Sequence, residues 1–366
     1  MRHLKALLLA MLVSLGTLAL LEGVLRVRYW WKYGSATPAA RGIMNDPVTG
    51  LRTLKPGYKD RNITINSRGF RGPEIPVPKP ARCIRFAFLG GSTTYCAEVS
   101  GDNKTWPHLV TERMKKHWPR AEFDYINAGV PGYTTAEMLT MLKTRVAPLQ
   151  PDVVVCYEAT NDLSGDTRKL AEERNLRSPT GKGEGLSTLA SYSMLITLAE
   201  FNLKALARQR NALSGDHLRF DPRELSRPFQ ARLEALVREA QKQNLLVALV
   251  TFAPKLRRWQ SPQDRVHSAV TSVFYMPYMS IDGLLDGFDE YNRAIRQTAR
   301  DTGVILIDAA NSIPADDAHY NDSVHFTDAG AEAMADRVAA ELVNAEPLRN
   351  LAVSREAMAA STAAMR

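Results

Sequence analysis

The chain has 366 residues, 45% of them hydrophobic and 23% charged, with a formal net charge of +8; this is the composition of a globular protein with room for one substantial domain and appendages. A basic balance raises nucleic acid as a partner, but the chain holds no RNP, zinc-finger or helix-turn-helix signature. The surplus is spread in small groups such as Arg257-Arg258, so it reads as a solvated basic surface and no nucleic-acid partner is expected. Three cysteines (Cys83, Cys96, Cys156) form no CxxC pair, which removes the common zinc patterns.

Arg2 and Lys5 precede an uncharged apolar run of 16 residues, Ala6 to Leu21, which Glu22 interrupts and Val24-Leu25 extend. The run is short against the roughly 20 residues of a usual membrane span and near the length of a signal-peptide core, yet no small-x-small cleavage site comes after it. Residues 1–31 are therefore expected to form an uncleaved, single-pass anchor helix. Arg26, Arg28 and Lys32 nearly balance Arg2, Lys5 and the α-amino group, so flanking charge leaves the orientation open. Residues 32–81, rich in Pro, Gly, Arg and Asn, read as an extended linker. Within it Asn66 to Glu74 has the density of turn formers of a tight loop packed on the neighbouring domain.

From residue 84 strands and helices alternate. The first strand, residues 84–90, is apolar and rich in aromatic and β-branched types, and it stops at Gly90-Gly91, with Ser92 where strand becomes loop. Further strands are expected at residues 123–127, 152–157, 245–252 and 304–308, and helices at 134–146, 222–243, 288–302 and 329–343. Residues 162–220 break the rhythm and read as an insertion, with a Gly-rich turn at Gly181 to Gly185 and a helix over 186–208. Those glycines neither follow a strand nor precede a Lys-Ser/Thr pair, so they do not make a phosphate loop. Residues 253–285 read as a loop carrying Trp259, Phe274, Tyr275 and Tyr278, and residues 346–366 as an Ala-rich tail that frays. The alternation predicts an α/β fold, a three-layer α/β/α sandwich on a mainly parallel five-stranded sheet over residues 82–345.

Four short loops follow predicted strands or enter the last helix: Gly90-Gly91-Ser92, Asn127 to Gly132, Ala159-Thr160-Asn161-Asp162 and Asp322-Ser323-Val324-His325. In a parallel sheet they emerge at one edge, where one pocket can gather them. Acyl transfer from an ester needs a nucleophile, a base, a group that orients the base, and donors for the oxyanion. Ser92 supplies a hydroxyl, His325 can take its proton, and Asp322, three residues earlier, can fix the imidazole tautomer. The Gly132 N–H and the Asn161 side-chain amide are donors of the right kind. His319 is a rival base, set aside on the expectation that no acidic partner stands before it as Asp322 stands before His325. Cys96 reads as a core thiol.

The order and placement of these loops resemble the signature blocks of the SGNH, or GDSL-type, esterase and lipase superfamily. The resemblance covers residues 82–343 and implies a flavodoxin-like sandwich with no metal or cofactor. It implies Ser92 as nucleophile, Asp322 and His325 as the rest of a triad, and Gly132 and Asn161 as oxyanion donors beside the Ser92 N–H. The sequence departs from the family pattern twice: Gly91 stands where the family has Asp, and Ala159 where Gly is usual, the latter expected to tighten the turn that aims Asn161. Residues 66–74, the N-terminal helix and the Gly-Gly-Ser-Thr-Thr form resemble a membrane-anchored bacterial subgroup. That likeness implies an inner-membrane location with the catalytic domain on the periplasmic or extracellular side. The expected activity is hydrolysis of an acyl ester, by preference acetyl, on a cell-envelope or exported glycan, with the aromatic loop stacking on sugar rings. An O-acyltransferase using the same triad and a non-catalytic glycan-binding protein are the alternatives.

Overall fold

The computed structural model describes residues 2–33, 42–176, 187–214 and 217–364; the Gly-rich turn at residues 181–185 lies outside them. The N-terminal apolar run belongs to one 32-residue helix, α1 (Arg2–Tyr33). Its stretch from His3 to Trp31 is long and apolar enough to cross a membrane, with a mean hydropathy of 2.2. At ~1.5 Å per residue α1 is about 48 Å long, more than a hydrocarbon core of roughly 30 Å requires.

The stretch expected as an extended linker differs from that expectation. Strands β1 (Ile43–Asn45) and β2 (Arg52–Leu54) pair antiparallel, with Ile43 opposite Leu54. Leu54, Ile63, Ile65 and Phe70 are buried in the main core, and the Arg71 backbone bridges to Asn127 in the large sheet. These apolar residues are irregularly spaced, so no helical or strand period announces them. Their burial makes a strap across the domain.

The large sheet consists of β3 (Cys83–Gly90), β4 (Glu122–Gly129), β5 (Val153–Tyr157), β6 (Leu246–Val250) and β7 (Ile305–Ile307). Every residue of β3 and β5 is buried, as expected of strands covered on both faces. The order is β4-β3-β5-β6-β7 with all pairs parallel, which is the flavodoxin-like arrangement. Its direction reverses between β3 and β5, and a crevice for ligands opens at the carboxyl ends of those two strands.

The helices after α1 are α2 (Ser92–Tyr95), α3 (Trp106–His117), α4 (Thr135–Met141), α5 (Thr160–Glu173), α6 (Met194–Ser214) and α7 (Pro222–Lys242). They continue with α8 (Pro262–Ser268), α9 (Val270–Tyr275), α10 (Ile281–Thr302), α11 (Asp328–Asn344) and α12 (Glu346–Ala364). One layer is built from α4, α5, α7 and α10, and the opposite layer from α3, α11 and α12. Amphipathic patterning explains the choice: α10 buries Leu284, Leu285, Phe288, Tyr291 and Ile295 along one stripe.

Four expectations need correction. The insertion does not begin at residue 162, because α5 is an ordinary helix after β5 that buries Leu163, Thr167 and Ala171 at a spacing of four. The insertion helix, expected at 186–208, forms as α6 instead and is preceded by a short 3-10 turn at Thr188–Ser191. The expected loop at 253–285 contains α8, α9 and the first turn of α10, each short helix opening where a local cap or packing contact allows; Ser261 caps α8 and Ser280 caps α10. Residues 346–364 do not fray: α12 combines good helix formers with Leu348 and Ala352, which bury at i and i+4.

Candidate active site

At the end of β3 the chain turns at Gly91 (φ −89°, ψ −146°) into the single turn of α2, whose first residue is Ser92. One helical turn is not stable alone, and buried groups from elsewhere hold this one. Trp106 Nε1 donates to the Thr93 carbonyl (3.1 Å) and Asn127 Nδ2 to the Thr94 carbonyl (3.0 Å). Arg71, 1% exposed, donates to the carbonyls of Tyr95 (2.7 Å) and Cys96. The same guanidinium pairs with Asp102 at 2.8 Å, donates to the Asn62 carbonyl at 2.9 Å, and lies 5.3 Å from the centre of the Tyr95 ring. The strap thus braces the helix that presents Ser92. Arg71 belongs to the tight loop expected to pack on the neighbouring domain, but its bracing of α2 was not read from the sequence.

The opposite wall is the loop between β7 and α11. Asp322 Oδ1 accepts the backbone N–H groups of Val324 and His325, both at 2.9 Å, a local turn that fixes its carboxylate. Asp322 Oδ2 lies 2.8 Å from His325 Nδ1, and His325 Nε2 lies 2.8 Å from Ser92 Oγ. This geometry directs the Nδ1 proton at Asp322 and leaves Nε2 to accept from the serine hydroxyl. The intervening Ser323 anchors the loop: its hydroxyl accepts from the N–H groups of Thr271 (2.9 Å) and Ser272 (3.2 Å) at the start of α9.

Burial disfavours the charged imidazole of His325. The hydrogen bond with Asp322 and the charges of Glu98, Asp322 and Glu158 outweigh it and push its pKa up to about 9. Burial likewise opposes the Asp322 carboxylate, but the hydrogen bond and charge of His325 and the two backbone donors hold its pKa below the ordinary value. The pair therefore stores an ionised acid beside an imidazole eager for a proton.

The third wall comes from the loops after β4 and β5. Val130 to Tyr133 form a turn closed by Tyr133 N–H to Val130 O (3.1 Å), with Pro131 and then Gly132 at φ +85°. A glycine is needed there because a side chain is strained at positive φ. Asn161 Nδ2 donates to the Tyr133 carbonyl (2.9 Å) and to Glu158 Oε2 (3.1 Å), so both hydrogens of the amide expected to face an oxyanion are engaged. Ala159, in contrast, needs no glycine: its φ of −160° lies outside the left-handed region that favours one. The expected tightening of the turn at this position does not arise.

Glu158 is the residue that sequence reasoning missed. It is 3% exposed, and its Oε1 accepts from Ala159 N–H (3.0 Å) and Asn161 N–H (2.7 Å). Burial and the nearby Asp162 push its pKa up to about 8 against these donors. A Cβ on Gly91 would lie 2.3 Å from Asn161 Nδ2 and 2.5 Å from Glu158 Oε2. The glycine before the serine and the acid after β5 are therefore one arrangement, in which the Glu158 carboxyl fills the space that a side chain at 91 would need. The available signal was an acid at the end of an otherwise apolar strand, paired with the missing Asp at 91.

The other candidates separate cleanly. The expectation that His319 lacks an acidic partner fails: Asp316, also three residues earlier, lies 2.7 Å from its Nδ1. That pair sits on the surface with the Asp316 side chain 54% exposed, and among the described residues Ser92 hydrogen-bonds His325 instead. Cys96 is buried with its thiol pushed up to about 12 by burial, which leaves it inert at neutral pH. Of the aromatic loop, Trp259 (76%) and Tyr275 (55%) are exposed, Tyr278 is buried, and Phe274 packs against Phe201 with ring centres 4.6 Å apart. A cavity of ≈ 380 Å³ opens beside Trp259, lined by Arg257, Asn292, Arg296 and Asn311 among others.

The model of the GDSL-like lipase/acylhydrolase family matches residues 88–333, a range that takes in Ser92, Gly132, Asn161, Asp322 and His325. No curated protein matches the chain by sequence. Among solved structures it is similar to Axe2, an acetylxylan esterase from Geobacillus stearothermophilus, at 15% identity and a TM-score of 0.43, covering 70% of this chain and 93% of that one. It is also similar to the acetyl xylan esterase AlAXEase, at 18% identity and a TM-score of 0.41, covering 70% and 98%. A third is a putative lipolytic protein of the G-D-S-L family from Desulfitobacterium hafniense, at 11% identity and a TM-score of 0.39, covering 70% and 98%.

Proposed function

Because the chain belongs to the GDSL-like lipase/acylhydrolase family, we propose that it is a serine esterase whose nucleophile is Ser92. His325 takes the Ser92 proton as the oxygen attacks the acyl carbonyl, then returns it to the leaving alcohol as the ester C–O bond breaks. Water, deprotonated by the same imidazole, then cleaves the acyl-serine and releases the acid. Asp322 holds the tautomer and balances the imidazolium. The N–H groups of Ser92 and Gly132 and the Asn161 amide receive the oxyanion, the last by exchanging one of its present acceptors for the new charge. The observation that carries this reading is the 2.8 Å contact of Ser92 Oγ with His325 Nε2, continued at 2.8 Å to Asp322.

The substrate we propose is an acyl ester, acetyl by preference, on a cell-envelope or exported glycan. Exposed Trp259 and Tyr275 offer faces on which sugar rings stack. The α1 helix would anchor the enzyme in the bacterial inner membrane, with the catalytic domain on the outer side.

Labelling of the full chain with a fluorophosphonate probe tests the nucleophile. Wild type labels, and Ser92→Ala and His325→Ala do not; retained labelling of Ser92→Ala would overturn the assignment. Incubation of an acetylated glycan with a second, unacetylated glycan then separates hydrolysis from transfer by whether free acetate or a new ester accumulates.

A further inference from the structure

Helix α1 carries an acid within its apolar length, and the structure gives that acid partners. Glu22 accepts from Ser193 Oγ (3.0 Å) and from the N–H groups of Met194 (2.9 Å) and Leu195 (3.0 Å), the first donors of α6, while Arg26 pairs with it at 2.7 Å. Arg26 also donates to the Tyr192 carbonyl at 2.8 Å. Trp30 and Trp31, both exposed, stand about 13 Å further along α1 at ~1.5 Å per residue. Aromatic residues at the end of a span settle at headgroup level. With Trp30 and Trp31 there, Glu22 and the start of α6 sit roughly 5–8 Å inside the hydrocarbon, the depth reached by the apolar face of an interfacial helix. An acid at that depth is costly unless it is paired, and α6 supplies the pairing.

The rest of the insertion fits the same depth. Leu189, Tyr192, Leu203, Leu206 and Leu213 are all more than half exposed, although apolar side chains of this size normally seek cover. Leu203, Leu206 and Leu213 share one side of α6 by helical spacing, with exposed Arg210 on the same side, long enough to carry its charge up to the headgroups. The start of the same helix is docked on α1 through Glu22, and the chain, with 47 basic and 39 acidic residues, suits anionic headgroups. The opposite side of α6 is bound to the catalytic domain, where Phe201 packs on Phe274 at a tilt and Asn211 Nδ2 donates to the Pro277 carbonyl at 3.0 Å.

We infer that α6 lies in the membrane interface with Leu203, Leu206 and Leu213 in lipid, docked to the spanning helix through Glu22. The domain is then held against the bilayer at two places. The occupant of the apolar face is lipid, because α6 starts on α1 within the stretch long and apolar enough to cross a membrane. The inference rests on the reading of α1 as a membrane span.

The test places a nitroxide on the full chain in vesicles of phosphatidylcholine and phosphatidylglycerol, at Leu203→Cys, Leu206→Cys, Leu12→Cys on α1, or Arg300→Cys at the end of α10 away from α6. The native cysteines are buried and do not compete. Collision with oxygen against a water-soluble nickel chelate reads depth. The expected result is a lipid pattern at 203, 206 and 12, a water pattern at 300, and loss of the lipid pattern at 206 when Glu22→Gln is added. A water pattern at 206 with a lipid pattern at 12 overturns the inference while leaving the anchor intact. Spin–spin broadening at 206 shows a second copy on that face and overturns it too, and a water pattern at 12 removes the anchor on which it rests.

Discussion

The carboxylate of Glu158 lies 3.1 Å from the side-chain nitrogen of Asn161, and both stand where a Cβ on Gly91 would be. The residue before the nucleophile therefore controls the aim of Asn161. Gly91→Ala is expected to displace that amide and lower kcat by about 10²-fold, the scale of losing one oxyanion donor, with KM changing much less. Steady-state kinetics on a soluble acetyl ester check this, and an unchanged kcat would show that Asn161 is not part of the reaction.

The pH profile carries the signature of His325. The base works only unprotonated, and its pKa is pushed up to about 9, so kcat/KM is expected to rise with pH through the neutral range and level off above about 9. Removing a carboxylate that favours the imidazolium moves the rising limb to lower pH. Glu98→Gln should do so with the activity retained, and Asp322→Asn should do so with a loss of about 10⁴-fold in kcat. A limb that stays in place in both variants would assign it to another group.

Arg71 lies far from the serine in sequence yet satisfies two carbonyls of the helix that carries it. Arg71→Leu leaves those carbonyls and Asp102 without their partner, a change that costs about 3–5 kcal/mol where a buried pair is broken. The expected outcome is a lower Tm and urea midpoint together with a fall in kcat. Loss of stability with kcat intact would reduce Arg71 to a scaffold residue.

Glu158 also links stability to pH. Its pKa in the folded chain is about 8 against an ordinary 4.5, so the folded state favours the protonated acid. Its contribution is complete below about 4.5 and is lost as pH rises through about 8. His325 acts in the same sense, with its contribution complete below about 6.5 and lost through about 9. Urea midpoints measured between pH 5 and 9 should fall in the wild type and fall less in Glu158→Gln. Parallel slopes in the two proteins would show that Glu158 is ionised throughout.

The sheet was legible because apolar runs such as residues 84–90 and 152–157 need only local pattern to be read as buried strands. Placement of Ser92, Gly132, Asn161, Asp322 and His325 was readable for a related reason: each stands at a strand end or helix entry, and a parallel sheet sends such loops to one edge. Arg71 and Glu158 were not legible, because their roles depend on partners distant in sequence or on space left by a glycine. The strap's last loop, residues 66–74, was expected to pack on the domain and does so, with Phe70 in the core and Arg71 bridged to Asn127. The strap at residues 43–65 and the helices within 253–285 escaped for want of periodicity. The pairing of Asp316 with His319 stood in the sequence at the same spacing as that of Asp322 with His325 and was overlooked; only its exposure and distance from serine distinguish it.

The bracing of α2 by Arg71 and its completion by His325 have a consequence for how the protein is made. One support emerges from the ribosome before the serine, and the imidazole arrives only when nearly the whole domain has been synthesised. On the proposed assignment, a chain ending before the β7–α11 loop holds Ser92 without the imidazole that contacts it. Acyl transfer through this pair therefore waits until that loop has been made and packed.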